Sequence, residues 1–170
     1  MIDHLPDRLD LIAAAEAGRL YQGRIPLANL ERVVPLLRSG EGGLEVVLEL
    51  GKAEDGTFYL AGSITGILAV SCQRCLEEMR LPLNTSFCLG LVRSQEAAQV
   101  LQQRYEPLIV SGEPVLIADL VTDEVLLALP IVAVHEDAGD CRDLDVEYTA
   151  SVQEEPCNPF AVLEQLKQKH

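Results

Sequence analysis

The stretch SCQRC, residues 71–75, places two thiols, Cys72 and Cys75, three positions apart. Cysteines at this spacing are typical of half a structural zinc site, of a redox motif, or of a turn in which thiols only pack. A closed zinc site needs four ligands. The best remaining donors are His135 and Cys141, with Cys88 as a third choice. The sequence therefore contains a candidate metal site of Cys72, Cys75, His135 and Cys141, and zinc is its candidate cofactor.

Two other interpretations of the cysteine pair stay open. A redox pair needs the first thiol at the start of a helix beside a parallel βαβ unit, because the helix N-terminus lowers the thiol pKa. The segments that flank residues 72–75 instead have the pattern of antiparallel strands. In the third interpretation Cys72 and Cys75 cap or pack a tight turn.

Common catalytic motifs are missing from the chain. It has no GxSxG, no Gly-rich phosphate loop and no HExxH, and its three histidines are widely separated. Asp119 and Asp123 share one helix face, where they could bind a cation, but a solvated helix edge explains them better. The sequence therefore predicts a protein that acts by binding rather than an enzyme.

The composition is that of an acidic globular protein. Of the 170 residues, 48% are hydrophobic. The chain contains 27 acidic and 13 basic residues, which gives a net charge of −14. Such a charge opposes unspecific binding to DNA, RNA or anionic membranes. A local positive patch of Arg74, Arg80 and Arg93 could still contact RNA, with scattered surface arginines as the alternative. No apolar run reaches the ~20 residues of a membrane span, and together with the odd number of cysteines this predicts a cytoplasmic protein with reduced thiols.

The hydrophobic pattern predicts an α+β protein. Residues 44–50 alternate as a strand with one buried face, and an Asp-Gly pair at 55–56 signals a hairpin turn into a long strand over 57–70. A third strand over 79–92 completes an antiparallel β-meander, with SCQRC at the tip between the second and third strands. Helices are expected over 6–18, 27–37 with a kink or stop at Pro35, 94–105 and 117–130, with a short strand over 106–110.

The domain organisation follows from this order. We predict a single α+β domain over 1–135 with a helical N-terminal part, a flexible acidic linker over 136–157 and a C-terminal helix over 158–170. Asn158 can cap that helix, and Phe160, Leu163 and Leu166 line one side of it.

Four stretches of the chain form a characteristic combination. They are CQRC at 72–75, YEPLIV at 105–110, DEVLLALPIVAVH at 123–135 and NPFAVLEQLK at 158–167. Together with RLYQGRIPLANLERV near the front, they resemble the bacterial large ribosomal RNA subunit accumulation proteins of the YceD type. The resemblance covers most of the chain. It places the family's motif positions at Cys72, Arg74, Cys75, Glu106, Pro107, Asn158, Pro159 and Phe160.

This resemblance implies a non-enzymatic, cytoplasmic factor that supports synthesis, processing or stability of large-subunit (23S) ribosomal RNA. Its implied partners are that RNA or its precursor particles, reached directly or through a ribosomal protein or assembly factor, with no membrane or DNA partner. Because the charge of −14 repels a polyanion, we favour a route in which the acidic surface holds a basic protein and the helix from Asn158 docks in a groove. The alternatives are an acidic chaperone or adaptor for a basic ribosomal protein, and a thiol-based redox or zinc-dependent protein.

Overall fold

A computed structural model describes residues 2–101, 104–136 and Cys141. Its strands and helices run in the order β1 (Ile2–His4), β2 (Arg8–Leu9), α1 (Leu11–Glu16), β3 (Leu20–Pro26), β4 (Gly43–Lys52), β5 (Phe58–Ser71), β6 (Glu78–Val92), α2 (Gln95–Gln99), β7 (Glu106–Ile109), β8 (Val115–Leu116) and α3 (Ile117–Ala128). Two short 3₁₀ turns, Leu27–Asn29 and Val34–Leu36, lie between β3 and β4.

One six-stranded sheet organises the fold, with strand order β1-β3-β4-β5-β6-β7. The neighbours from β3 to β6 are all antiparallel, whereas the short edge strands β1 and β7 pair in parallel with β3 and β6. Strands β2 and β8 form a separate antiparallel pair. The predicted α+β class with an antiparallel meander is confirmed, and β3 extends that meander by a strand.

The alternation in β4 positions the core on one face of this sheet. Val46, Leu48 and Leu50 are buried, while Glu45 and Glu49 point to solvent. The inner face is covered by α1, which packs on β4 and β5, and by α3, which packs on β6. Helix α1 starts at its Asp10 cap, whose carboxylate accepts a hydrogen bond from the Ala13 N–H at 3.0 Å, so the predicted helix over 6–18 is confirmed only in its middle.

The prediction of a helix over 27–37 is wrong, because the structure has two separate 3₁₀ turns there. Leu27, Leu30 and Val33 are all fully buried. Their spacing of three residues suits the three-residue repeat of 3₁₀ turns as well as it suits an α-helix. Pro35 lies in the first turn of the second 3₁₀ segment, where no N–H donor is needed, whereas its missing N–H would interrupt a continuous α-helix over 27–37.

The later helices follow the prediction more closely. Helix α3 ends at Ala128, shortly before Pro130, as expected. Helix α2 is shorter than the predicted range of 94–105. The predicted C-terminal helix over 158–170, with its Asn158, Pro159 and Phe160, and the predicted linker apart from Glu136 and Cys141, lie outside the described residues. The domain boundaries therefore stay predictions.

The helices of the described ranges 2–101 and 104–136 are all short. None of the helices there combines the length and the apolar character needed to cross a bilayer.

The pairing of Gly62 with Phe87 gives a test of the sheet register. A Cβ added at Gly62 would lie 2.1 Å from the tip of the Phe87 ring, whereas a Cβ at Gly40 would meet nothing within 4 Å. We expect Gly62→Ala to lower the free energy of unfolding by about 1–3 kcal/mol, because the ring must leave its packed position. Urea unfolding measures this effect. Equal midpoints for Gly62→Ala and the control Gly40→Ala would contradict the register.

Candidate metal centre

A tight turn over residues 72–77, here called the knuckle, joins the long strands β5 and β6. The Cys72 N–H donates to the Glu77 carbonyl at 2.9 Å, and the Leu76 N–H donates to the Cys72 carbonyl at 2.8 Å. Leu76 has a φ of +62°, in the left-handed region that costs a non-glycine residue about 1–3 kcal/mol. The Arg38 guanidinium offsets part of that cost by donating to the Leu76 carbonyl. The thiols therefore lie at the hairpin tip, as predicted.

The segment that follows α3 runs beside the knuckle and is bonded to it. The backbone N–H of Gln73 donates to the Ala133 carbonyl at 2.8 Å, and its side-chain amide donates to the Ile131 carbonyl at 3.4 Å. Arg74 adds a bond of 3.5 Å to the His135 carbonyl. Two parts of the chain that are about 60 residues apart are thereby held side by side.

Four metal-ligating side chains meet where these two parts touch. The ligand atoms of Cys72, Cys75, His135 and Cys141 all lie within 4.8 Å of one another. Cys72 and Cys141 have their sulfurs 3.8 Å apart, and the His135 Nδ1 lies 3.6 Å from the Cys75 sulfur and 3.4 Å from the Cys141 sulfur. The predicted donor set is thus brought together. Cys88, the third choice, lies in β6 opposite Ala61 and outside the cluster.

These distances between sulfur and nitrogen atoms fit the tetrahedral coordination of one metal ion. Donors held about 2.0–2.3 Å from a central metal lie about 3.4–3.8 Å from one another. A disulfide would instead need sulfurs about 2.05 Å apart, and all four cysteines among the described residues are free. Cys72 and Cys75 are buried, while His135 and Cys141 are half-buried. The cluster can therefore hold one metal ion in a largely closed site.

The electrostatics favour the ligating form of Cys72. Burial acts to raise the pKa of this thiol, but N–H groups of Cys75, Arg74 and His135 point to the sulfur and lower the pKa from 9.0 to about 5. Cys72 is therefore a thiolate at neutral pH, and the thiolate is the form that binds metals. Burial raises the pKa of Cys141, so a bound cation would have to displace its proton.

Arg74 supports the cluster from its edge. Its Nε donates to the Cys141 sulfur at 2.9 Å, and this bond raises the pKa of the guanidinium. Three thiolates and one divalent cation carry a net charge of −1, which the guanidinium neutralises. Hydrogen bonds from such outer residues orient ligands and tune a metal site. The sequence placed Arg74 in the motif but did not indicate this contact.

The remaining predicted residues lie elsewhere. Glu106 and Pro107 belong to β7, which pairs with Leu89 and Gly90 near the end of β6 that is remote from the knuckle. The predicted patch of arginines is divided in the same way, because Arg80 lies near the knuckle and Arg93 follows the last residue of β6.

Helix α3 has two side chains whose burial is unusual for their type. Leu127 is 74% exposed, whereas Glu124 is buried. Burial raises the pKa of Glu124, and the charges of Glu106 and Asp123 add to the shift. Asp119 and Asp123 are both exposed, as a solvated helix edge predicts, and Asp123 forms a surface ion pair with Arg32. The buried carboxylate beside Glu106 had no signal in the sequence pattern.

Glu124 predicts a defined pH dependence of stability. A carboxyl group whose pKa is raised on folding binds more protons in the folded state, so its contribution to stability falls as the pH rises above the unfolded pKa. We expect Glu124→Gln to raise the free energy of unfolding at pH 7–8, with a gain that shrinks as the pH approaches 4.5. Denaturant unfolding across this range measures it, with Glu113→Gln as an exposed control. A gain that does not change with pH would contradict the assignment.

Comparison with known proteins agrees with the quoted stretches. A family model described as Large ribosomal RNA subunit accumulation protein YceD matches residues 60–167, a range that includes all four donors. A curated protein of Haemophilus influenzae, named Large ribosomal RNA subunit accumulation protein YceD, is 31% identical over 171 residues, covering 97% of this chain and 97% of its own. No solved structure matches.

Proposed function

Because the chain belongs to the YceD family of large ribosomal RNA subunit accumulation proteins, we propose that it supports synthesis, processing or stability of large-subunit (23S) ribosomal RNA. It does so by binding and not by catalysis. The observation that carries the proposal is the similarity to a relative with that name over 97% of both chains. The name states an effect on RNA accumulation, so the mechanism has to be argued from this chain's own residues.

We propose that Cys72, Cys75, His135 and Cys141 hold a zinc ion. Three sulfurs and an imidazole form a soft donor set that suits zinc, and the spacing of the donors supports tetrahedral ligation. Four protein ligands leave no position open for water or substrate, as in structural sites. The zinc ion would then fix the segment after α3 against the knuckle and thereby form one rigid end of the molecule.

Zinc content tests this assignment. The purified chain is expected to contain about one zinc ion, and Cys141→Ser to lose most of it, because the site then lacks one of the four donors that a closed structural site uses. Cys88→Ser is the matched control and should retain the metal, since Cys88 lies outside the cluster. Metal analysis by mass spectrometry and the thiolate bands of the cobalt-substituted protein provide the measurements. Equal metal content in the two variants would contradict the site.

We further propose that the contact with ribosomal RNA runs through a basic protein. A protein contributes to phosphate binding by the number of phosphates that its cations neutralise. Arg74 is engaged by Cys141 and Arg38 by the Leu76 carbonyl, which leaves Arg80 as the arginine of the knuckle end without such an internal contact. Against a net charge of −14, this is a weak basis for direct RNA binding. The same charge suits a basic ribosomal protein or assembly factor and favours the role of acidic chaperone or adaptor as second candidate.

Ultraviolet crosslinking of the tagged chain in growing cells distinguishes the two routes. We expect the chain to sediment with large-subunit precursors without reproducible crosslinks to RNA, and its partner to be recovered after nuclease treatment. Cells that lack the chain should contain less 23S relative to 16S ribosomal RNA.

Two results would count against these expectations. Crosslinks to one region of the 23S RNA that disappear in Arg80→Glu would replace the protein route with direct recognition. An unchanged ratio of 23S to 16S RNA in cells without the chain would contradict the proposed function itself.

A further inference from the structure

Four large aliphatic side chains on the knuckle, at the end of α3 and in the segment after it are exposed to solvent. We call them the ridge: Leu76 is 63% exposed, Leu127 74%, Ile131 96% and Val132 59%. The bonds from Gln73 to Ile131 and Ala133 place the segment of Ile131 and Val132 beside the knuckle that carries Leu76. Leu127 lies in the last turn of α3, which leads into that segment.

The ridge cannot bury itself by local collapse. Residues 131–135 form no helix or strand and are held by backbone carbonyl oxygens and by the His135 ring, which leaves the side chains of Ile131 and Val132 exposed. A single exposed aliphatic residue is ordinary, but several next to one another on a fixed backbone mark an interaction site. The ridge therefore needs an occupant.

The chain itself continues from this place. Cys141 belongs to the metal centre, and residues 142–157 separate it from residues 158–170. A random-coil chain of 16 residues would have a root-mean-square end-to-end distance of about 22 Å. A connection of that length would give the attached segment an effective concentration on the order of millimolar at the ridge.

The composition of residues 158–170 complements the ridge. Phe160, Leu163 and Leu166 recur at the spacing of one helix face. The segment also holds two of the three lysines of the chain, Lys167 and Lys169, and a single acid. It is thus an apolar and basic segment tethered to an otherwise strongly acidic protein.

We propose that residues 158–170 dock onto the ridge of their own chain through Phe160, Leu163 and Leu166. The groove that the sequence suggested on a partner is here assigned to the chain itself, so that an external partner has to displace the segment. This proposal does not depend on the proposed role in ribosomal RNA accumulation.

The absence of tryptophan from the chain allows a direct test on the full-length protein. Phe160→Trp introduces a single reporter, whose emission is expected at short wavelength and protected from acrylamide quenching. Adding Ile131→Asp should shift the emission to that of a solvent-exposed indole, because a charge then lies in the centre of the ridge. Val100→Asp is the matched control: Val100 is 82% exposed but lies beyond α2, outside the ridge. It should leave the emission unchanged.

Two further variants keep the test decisive. Leu163→Trp replaces the reporter if Phe160 does not tolerate the change, and Leu127→Asp replaces Ile131→Asp if that variant loses its metal.

Emission typical of an exposed indole with both reporters overturns the proposal, and so does an equal shift caused by Val100→Asp. A short-wavelength emission that disappears on dilution also overturns it, because the segment would then be docking on a second copy. Emission that shifts only when ribosomal proteins are added would assign the segment to a partner instead.

Discussion

The bond between the knuckle and the segment after α3 is the contact on which the functional end of the molecule depends. The N–H of Gln73 and the side chains of Gln73 and Arg74 hold carbonyl oxygens at residues 131, 133 and 135. Without this attachment, His135 and Cys141 would have no fixed relation to the thiols of the hairpin tip. The candidate metal centre is therefore a consequence of a backbone contact between two distant parts of the chain, which a bound cation would strengthen.

The long hairpin of β5 and β6 explains why the knuckle at its tip is held in a fixed position. Fourteen consecutive residue pairs join the two strands, and the inner face of the sheet is covered by α1 and α3. The tip projects from a rigid base, so that a turn with a strained Leu76 is held in place by the strands on either side. Because α3 also packs against β6, the segment that follows its C-terminus lies beside the knuckle.

Much of the fold was accessible from sequence because it rests on short-range patterns. Three signals depend only on neighbouring residues. The alternation in β4 predicted a strand, the Asp-Gly pair predicted a hairpin turn, and the proline after α3 predicted the end of that helix. The prediction of a helix over 27–37 is wrong because buried residues spaced three apart fit a 3₁₀ turn as well as an α-helix. For the metal centre, the candidate donors could be selected by chemistry. The contacts of Arg74 with Cys141 and of Arg38 with Leu76 link residues far apart in the chain, where no local pattern indicates them.

The charged groups at the two ends of the β5–β6 hairpin differ. At the end remote from the knuckle, Glu106 of β7 pairs with Leu89, and its charge adds to the effect of burial in raising the pKa of Glu124. At the knuckle end, the guanidinium group of Arg38 donates to the Leu76 carbonyl and that of Arg74 donates to the Cys141 sulfur. Exposed aliphatic side chains lie on the adjacent surface. A surface of this kind suits apolar segments of proteins better than nucleic acid. On the proposed route through a protein, the knuckle end is where that contact would form.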